Sequence, residues 1–306
     1  MKPIALILSA CMLTCIQLSA DEIVKMKIIE TSDVHGNFFP EDFITRTPAE
    51  GSLARVHAFT EKAREELGKR NVILLDNGDI LQGQPTAYYY NFIDTVSPHV
   101  ASAMTRFMGY DAGTIGNHDV ETGHAVYDRW VAQNSFPTLG ANVVNALTGL
   151  PYLKPYTVIN KNGIKVAVLG LLTPGIPGWL PENLWKGLRF EDMQATAAKW
   201  VPFIKEVEKP DLMIGLFHSG RDSTKTVAGI HENGSLMVAK HVPGFDIVLM
   251  GHDHSPYFDV ITNDYGQNVV VANPANLARR VVDIDVTFSR DARGKVSLKA
   301  IDGRLT

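Results

Sequence analysis

Val72-Ile73-Leu74-Leu75-Asp76-Asn77-Gly78-Asp79 is the stretch that decides the fold. Four consecutive apolar residues, the first two β-branched, read as a short strand buried on both faces. The run then enters a polar turn closed by a carboxylate. Chemistry in α/β sheets collects at the carboxyl ends of strands, and Asp79 stands at such an end. Four other apolar runs finish the same way. Lys27-Ile28-Ile29 leads to Asp33-Val34-His35, and residues 112–115 lead to Gly116-Asn117-His118-Asp119. Residues 212–217 end on His218, and 247–250 end on Gly251-His252-Asp253-His254.

These turns supply Asp33, His35, Asp79, Asn117, His218, His252 and His254, all oxygen or nitrogen donors. A single ion takes roughly four to six ligands, so seven protein groups suit two divalent ions about 3.5–4 Å apart. Asp79 is read as the carboxylate the two would share. The donor types accept Mn, Zn, Fe or Co. An isolated Asp-x-His is common by chance, and an isolated histidine is usually structural. The signal lies in five such pieces, each directly after a strand-like run.

The chain has 306 residues, 45% of them hydrophobic, enough for one sizeable core. Net charge is −4, with no block of Lys or Arg, which argues against a nucleic-acid groove. Small anionic substrates stay open, because metals supply positive charge locally. The first 20 residues read as a cleaved secretory signal: a basic start, a short apolar run and small residues before Asp21. The run is shorter than the ~20 residues of a membrane span. Localisation is therefore expected to be periplasmic or secreted, with no membrane span after cleavage. Both cysteines, Cys11 and Cys15, fall inside this leader, so the mature chain is expected to carry no disulfide and no thiol nucleophile.

Along the chain, Ser52 and Gly68 bracket a helix with Val56, Phe59, Ala63 and Leu67 on one face. Ser97-Pro98 opens a second, with Val100, Met104 and Phe107 inward and Gly109 ending it. Residues 122–133 read as a third helix, capped by Thr122. Tyr88, Tyr89 and Tyr90 are expected to pack under the sheet, stacking on a base being the alternative. Asn160-Lys161-Asn162-Gly163 between two apolar runs signals a hairpin, so the sheet is not simply doubly wound. Residues 173–188 read as an irregular loop whose Trp179 and Trp185 are contact residues or buried anchors. A further helix starts near Met193 and should kink or end at Pro202. The tail reads as strands.

The series Asp33-x-His35, Gly78-Asp79, Gly116-Asn117-His118-Asp119, His218 and Gly251-His252-x-His254 resembles, in order and spacing, that of the calcineurin-like metallophosphoesterases. Within that superfamily the chain looks like the catalytic domain of the 5′-nucleotidase and 2′,3′-cyclic-nucleotide 2′-phosphodiesterase family. The resemblance is carried by residues 31–37, Asp76-Asn77-Gly78-Asp79, His218-Ser219-Gly220 and Gly187-Leu188-Arg189-Phe190. It implies a four-layer α/β/β/α sandwich over residues 21–306 and a metal-dependent phosphoric ester hydrolase. It also implies that Asp33, His35, Asp79 and His254 hold one metal and that Asp79, Asn117, His218 and His252 hold the other. His118 would face the phosphate as the catalytic residue. Two departures are visible. Glu121 stands where some members have an Asp that orients the catalytic His. The family's C-terminal nucleotide-binding domain is not found in these 306 residues. The expected substrate is a small phosphoester, a nucleotide foremost. The alternatives are a non-nucleotide phosphoester, or a metal-binding half that works with a separately encoded substrate-binding partner.

Overall fold

The apolar runs pair into two six-stranded sheets in the computed structural model, which describes residues 21–306 except Ile44 and Ala228. The expected leader, 1–20, lies outside the described residues. The first sheet runs Val296–Leu305, Val282–Arg290, Glu22–Thr31, Val72–Asp76, Ala112–Thr114, Thr138–Leu139. Glu22–Thr31 pairs antiparallel with Val282–Arg290 on one side and parallel with Val72–Asp76 on the other. The second sheet runs Tyr257–Thr262, Asn268–Asn273, Ile247–Met250, Leu212–His218, Ile164–Leu172, Tyr156–Lys161. Its centre is parallel and its two edges are antiparallel. The expected hairpin is one of those edges, turning through Asn162 and Gly163 at positive φ.

Strand periodicity distributes the side chains into layers. Ile28, Ile73 and Leu75 point between the sheets, where they meet Val166, Ile214 and Leu216 from the other sheet's strands. Ile29, Val72 and Leu74 point outward against the helix Leu53–Leu67 and its neighbours. On the far side, Met213, Phe217 and Val248 pack beneath the helices Met193–Val207 and Ser235–His241. The result is helix, sheet, sheet, helix, as expected. Because both faces of the central strands are covered, their sequences run continuously apolar. Among the described residues no helix is long and apolar enough to cross a membrane.

Several local expectations change. Ser52 and Gly68 do bracket the first helix, the Ser52 hydroxyl accepting from the Arg55 N–H at 3.3 Å. The second helix, Val100–Met108, starts after His99, whose Nδ1 accepts from the Ala101 N–H at 3.1 Å. Its buried face is Ala101, Ser102, Thr105 and Met108, leaving Phe107 exposed. Val100 and Met104 pack partly buried against the same core as expected, so Phe107 is the one residue of the expected face that departs. The third helix is His124–Gln133, preceded by a short turn Asn117–Val120. Thr122 does not cap it, since its hydroxyl donates back to the Asp119 carbonyl at 2.7 Å. Pro202 sits inside the helix Met193–Val207 and does not end it. The carbonyl that Pro202 cannot pair, that of Ala198, belongs to an exposed residue and is open to water. Tyr88 and Tyr89 do not pack under the sheet; they are largely exposed.

Candidate metal centre

All five turns meet at one rim, where the parallel strands of both sheets finish. Each strand delivers its turn by register. Thr31 pairs with Asp76 and His218 with Leu172, so the turns after them start level. The chain then doubles back sharply, and five of the seven expected ligands adopt left-handed backbone. Their φ values are 52° for Asp33, 50° for His35, 56° for Asp79, 72° for His252 and 53° for His254. Such conformations disfavour a side chain by about 1–2 kcal/mol each and persist only where surrounding bonds over-determine them.

Those bonds are present. Asp119 accepts from the N–H groups of Asp79, Ile80, Leu81 and Gly116 at 2.8–3.0 Å and so clamps two turns together. Asp33 accepts from the His252 N–H, at 3.0 Å to Oδ2, and ties two more. Two glycines make room. A Cβ on Gly116 would stand 2.1 Å from Asp79 Oδ1, and one on Gly251 would stand 2.1 Å from Ser32 Oγ. Any side chain there would displace these groups.

The seven side chains converge in two groups. In one, Nε2 of His35 and Nε2 of His254 face each other at 3.0 Å, with Asp33 Oδ1 3.2 Å from the His254 nitrogen. In the other, His218 Nε2 lies 3.2 Å from Asp79 Oδ2 and 3.1 Å from Asn117 Oδ1, which His252 Nδ1 approaches to 2.7 Å. Donor atoms of Asp33, His35 and His254 lie within 4.8 Å of one another, as do those of Asp33, Asp79 and His218. Asp33 is the residue common to these two sets, whereas the sequence reading gave the shared position to Asp79. Nitrogen lone pairs aimed at one another and at buried carboxylates suit cations, so this donor set fits a pair of divalent ions.

The outer nitrogens are held as metal-binding imidazoles usually are. Gln82 Oε1 takes His35 Nδ1 at 3.0 Å and the Asn77 carbonyl takes His218 Nδ1 at 2.6 Å; His254 differs, since the Asn276 amide N–H donates to its Nδ1 at 3.0 Å. Glu232 Oε1 is 3.5 Å from His252 Nε2, and the ring of Trp179 stacks on His252 at 5.4 Å and 27°. Sequence reading missed Asp119, Gln82, Glu232 and Asn276; among these only Asp119 stood beside a recognised motif residue. It left Trp179 open, and the structure makes it a contact residue.

His118 stands apart from the cluster. Its N–H donates to Asp79 Oδ1 at 2.8 Å, while its ring leans toward His35 with centroids 5.4 Å apart. Its Nδ1 is 2.5 Å from Glu121 Oε2, so the longer acid does reach the imidazole. The ring is more than a third exposed, leaving Nε2 for the open side.

Electrostatics separate the site from the layer beneath it. Burial disfavours charge on Asp33 and Asp79, yet His218 beside them outweighs it, and both carboxyls are held below the ordinary range. Burial likewise opposes charge on His218, but Asp79 and Asp33 overcome it and push the imidazole up to about 10. One layer down, burial and then the charge of Asp119 push Asp76 up to about 8. Burial raises Glu30 well above its usual value. Glu30 Oε2 and Asp76 Oδ2 have no hydrogen-bond partner among the described residues. Charge is thus favoured on Asp33 and Asp79 at the rim and disfavoured on Asp76 and Glu30 below.

A family model for calcineurin-like phosphoesterases matches residues 26–256. The chain is 29% identical over 248 residues to a 2′,3′-cyclic-nucleotide 2′-phosphodiesterase/3′-nucleotidase of Yersinia enterocolitica, covering 76% of this chain and 37% of that protein. It is 29% identical over 244 residues to a 5′-nucleotidase of Vibrio cholerae, covering 78% of this chain and 42% of the relative. The chain thus spans about two fifths of the length of these relatives. In structure it resembles the calcineurin-like phosphoesterase YfkN of Bacillus subtilis, with a TM-score of 0.79 and 26% identity over 93% of this chain and 91% of that one. A match over most of the chain, on the strands and turns that build this rim, means that the protein belongs to the calcineurin-like phosphoesterase family.

Proposed function

We propose that the chain is an exported, two-metal phosphoester hydrolase acting on nucleotides, with residues 21–306 as the catalytic unit. The observation that carries this reading is the convergence of seven oxygen and nitrogen donors on a rim where His118 remains unengaged by the cluster. The names of the relatives point to nucleotides as the substrate class.

Asp33, His35, Asp79 and His254 would hold one ion; Asp79, Asn117, His218 and His252 would hold the other. When bound, the two ions supply charge for the phosphoryl oxygens and activate water. The protein's own contribution is positional. Asp119 and the two glycines fix the carboxylates, and the outer partners of each imidazole fix which nitrogen faces inward. His118, oriented by Glu121, donates a proton to the leaving oxygen or neutralises charge on the phosphoryl group, an effect typically worth roughly 10²–10⁴-fold.

The test is turnover of a chromogenic phosphoester and of a nucleotide panel, beside metal analysis of the purified chain. Activity should disappear with chelator and return with Mn or a similar ion. Full turnover in metal-stripped protein would sink the reading. Activity on the chromogenic ester alone would favour a chain that needs a partner to hold nucleotides.

A further inference from the structure

After the Asp79 turn the chain runs through Gln82-Gly83-Gln84 into a helical segment that changes pitch. Pro85–Tyr88 is α-helical and Tyr89–Ile93 is π-helical. Wide turns of this kind recur at functional sites. Here the segment sets the rings of Tyr88 and Phe92 side by side, centroids 5.1 Å apart and tilted by 56°. Tyr88 is 60% exposed and Phe92 48%. Two adjacent aromatic rings left in water mark a surface that binds something.

The rings form one wall of a cavity of about 540 Å³, within the range of roughly 300–1,000 Å³ common for small-molecule sites. Two other wall residues reach the metal centre. Gln82 bonds His35 at 3.0 Å, and Glu121 bonds His118 at 2.5 Å. Both bonds are to Nδ1, so the cavity lies beside the metal centre, against the outer edge of these two imidazoles. It is set off from the metals by one imidazole ring, a gap that the ribose of a nucleotide would span.

The lining specifies what the cavity takes. Aromatic faces suit a flat ring, and Gln82, Gln84 and Thr122 offer hydrogen bonds to its edge. Among the described residues the lining includes no Lys or Arg and does include Glu121, so a second phosphate is disfavoured. A second cavity, about 370 Å³, flanks Gly36 and carries Glu41, Asp42 and Glu50. Its cation, Arg279, pairs with Glu50 at 3.3 Å, which makes that cavity the poorer choice for an anionic ester.

We propose that Tyr88 and Phe92 form a nucleoside-binding platform in the same domain as the metal centre. It receives the base of a nucleoside monophosphate whose phosphate sits at the metals. This rests on the phosphoesterase reading for its orientation, though binding of the base can be tested without it.

The first arm is ligand-observed saturation-transfer NMR with adenosine and with uridine, which carry no phosphate. The chain should bind both. Tyr88→Ser and Phe92→Ser should each weaken binding roughly tenfold or more, the usual scale for a lost base stack, and Tyr88→Phe should restore it. Both residues are exposed, and a thermal melt checks that the serine variants fold. The second arm compares kcat/KM for AMP with that for glycerol phosphate, which has no ring. In the serine variants the ratio should fall about tenfold, through KM more than kcat. Nucleosides that fail to bind the native chain, or that bind the double serine variant equally well, would overturn the platform. If neither these esters nor the chromogenic ester is hydrolysed, the phosphoesterase reading fails, and the nucleoside titration alone upholds or overturns the platform.

Discussion

The two halves of the metal centre are built to different standards. The half around His35 and His254 opens to solvent only at its edge: the His254 side chain is 39% exposed, whereas His35 and Asp33 beside it are buried. The half around Asp79 and His218 is sealed, with side chains 1% and 0% exposed. His218 also bonds the Asn77 carbonyl, and Asn77 in turn donates to Glu30 at 2.9 Å and to the Phe217 carbonyl at 3.1 Å. That half joins the two sheets as well as facing the site. The lesson is that one site can combine a single ligand at the surface with ligands that are part of the core.

The largest expected effect tests where the halves join. Asp79→Asn should lower turnover by more than the roughly 10–100-fold that follows loss of an outer partner, with both ions lost. Metal stoichiometry beside the rate measures this. Asp33→Asn is the control, since Asp33 is common to both clusters of donor atoms. If that variant loses both ions while Asp79→Asn loses one, the shared carboxylate is Asp33.

His118→Asn should keep both ions and lower turnover by about 10²–10⁴-fold on a nucleotide. The loss should be smaller on an activated aryl phosphate, whose leaving group needs no proton. Equal losses on the two would argue against proton donation, and a lost ion would move His118 into the cluster.

The comparison of halves is sharpened by His218→Gln against His254→Gln, melted in chelator. The His218 change disturbs the buried bond to the Asn77 carbonyl and should lower stability by about 1–3 kcal/mol. The half-exposed His254 change should stay within about 0.5 kcal/mol. Equal shifts would show that the sealed half carries no structural role.

The last test leaves the ligands and concerns the layer beneath. Asp76 titrates near 8 when folded and near the ordinary 3.8 when unfolded. The folded chain therefore holds a proton that the unfolded chain releases. Stability from this group is present below about pH 4 and is lost as pH rises toward about 8. In metal-free protein, Asp76→Asn should flatten that fall, by at most about 1.4 kcal/mol per pH unit. Urea unfolding at pH 5 and pH 8 reads it. An unchanged slope would place the proton elsewhere, Glu30 being the other buried acid of that layer.

Some of this was written in the chain itself. Strand runs such as 72–75 are legible because burial on both faces leaves no polar position, and a polar turn must follow. Helix ends at Ser52, Gly68 and Gly109 were legible because capping is a local bond. The seven donors were legible as a set, since each sits directly after its strand. Other features had no local signal. On Val100–Met108 the expected Val100 and Met104 do pack against the core, but Phe107 lies in water and the deepest positions fall to Ala101, Ser102, Thr105 and Met108. Tyr88 looked like core because aromatics usually are, yet it lies in water while its neighbour Ala87 is the residue that joins the core.

What the sequence determined, then, was the order of strands and the chemistry at their ends, because alternation and capping act over a few residues. The family resemblance had already grouped the donors; the tertiary structure supplied the contacts that join them. His35 meets His254 across 219 positions, and His218 meets Asn117 across 101. It alone revealed Asp119 as the clamp, Glu232 and Gln82 as partners of the imidazoles, and left-handed backbone at five ligands. Those are consequences of two sheets packing face to face, and the contact between distant turns is set by the register and depth of that packing, which no short stretch of residues encodes.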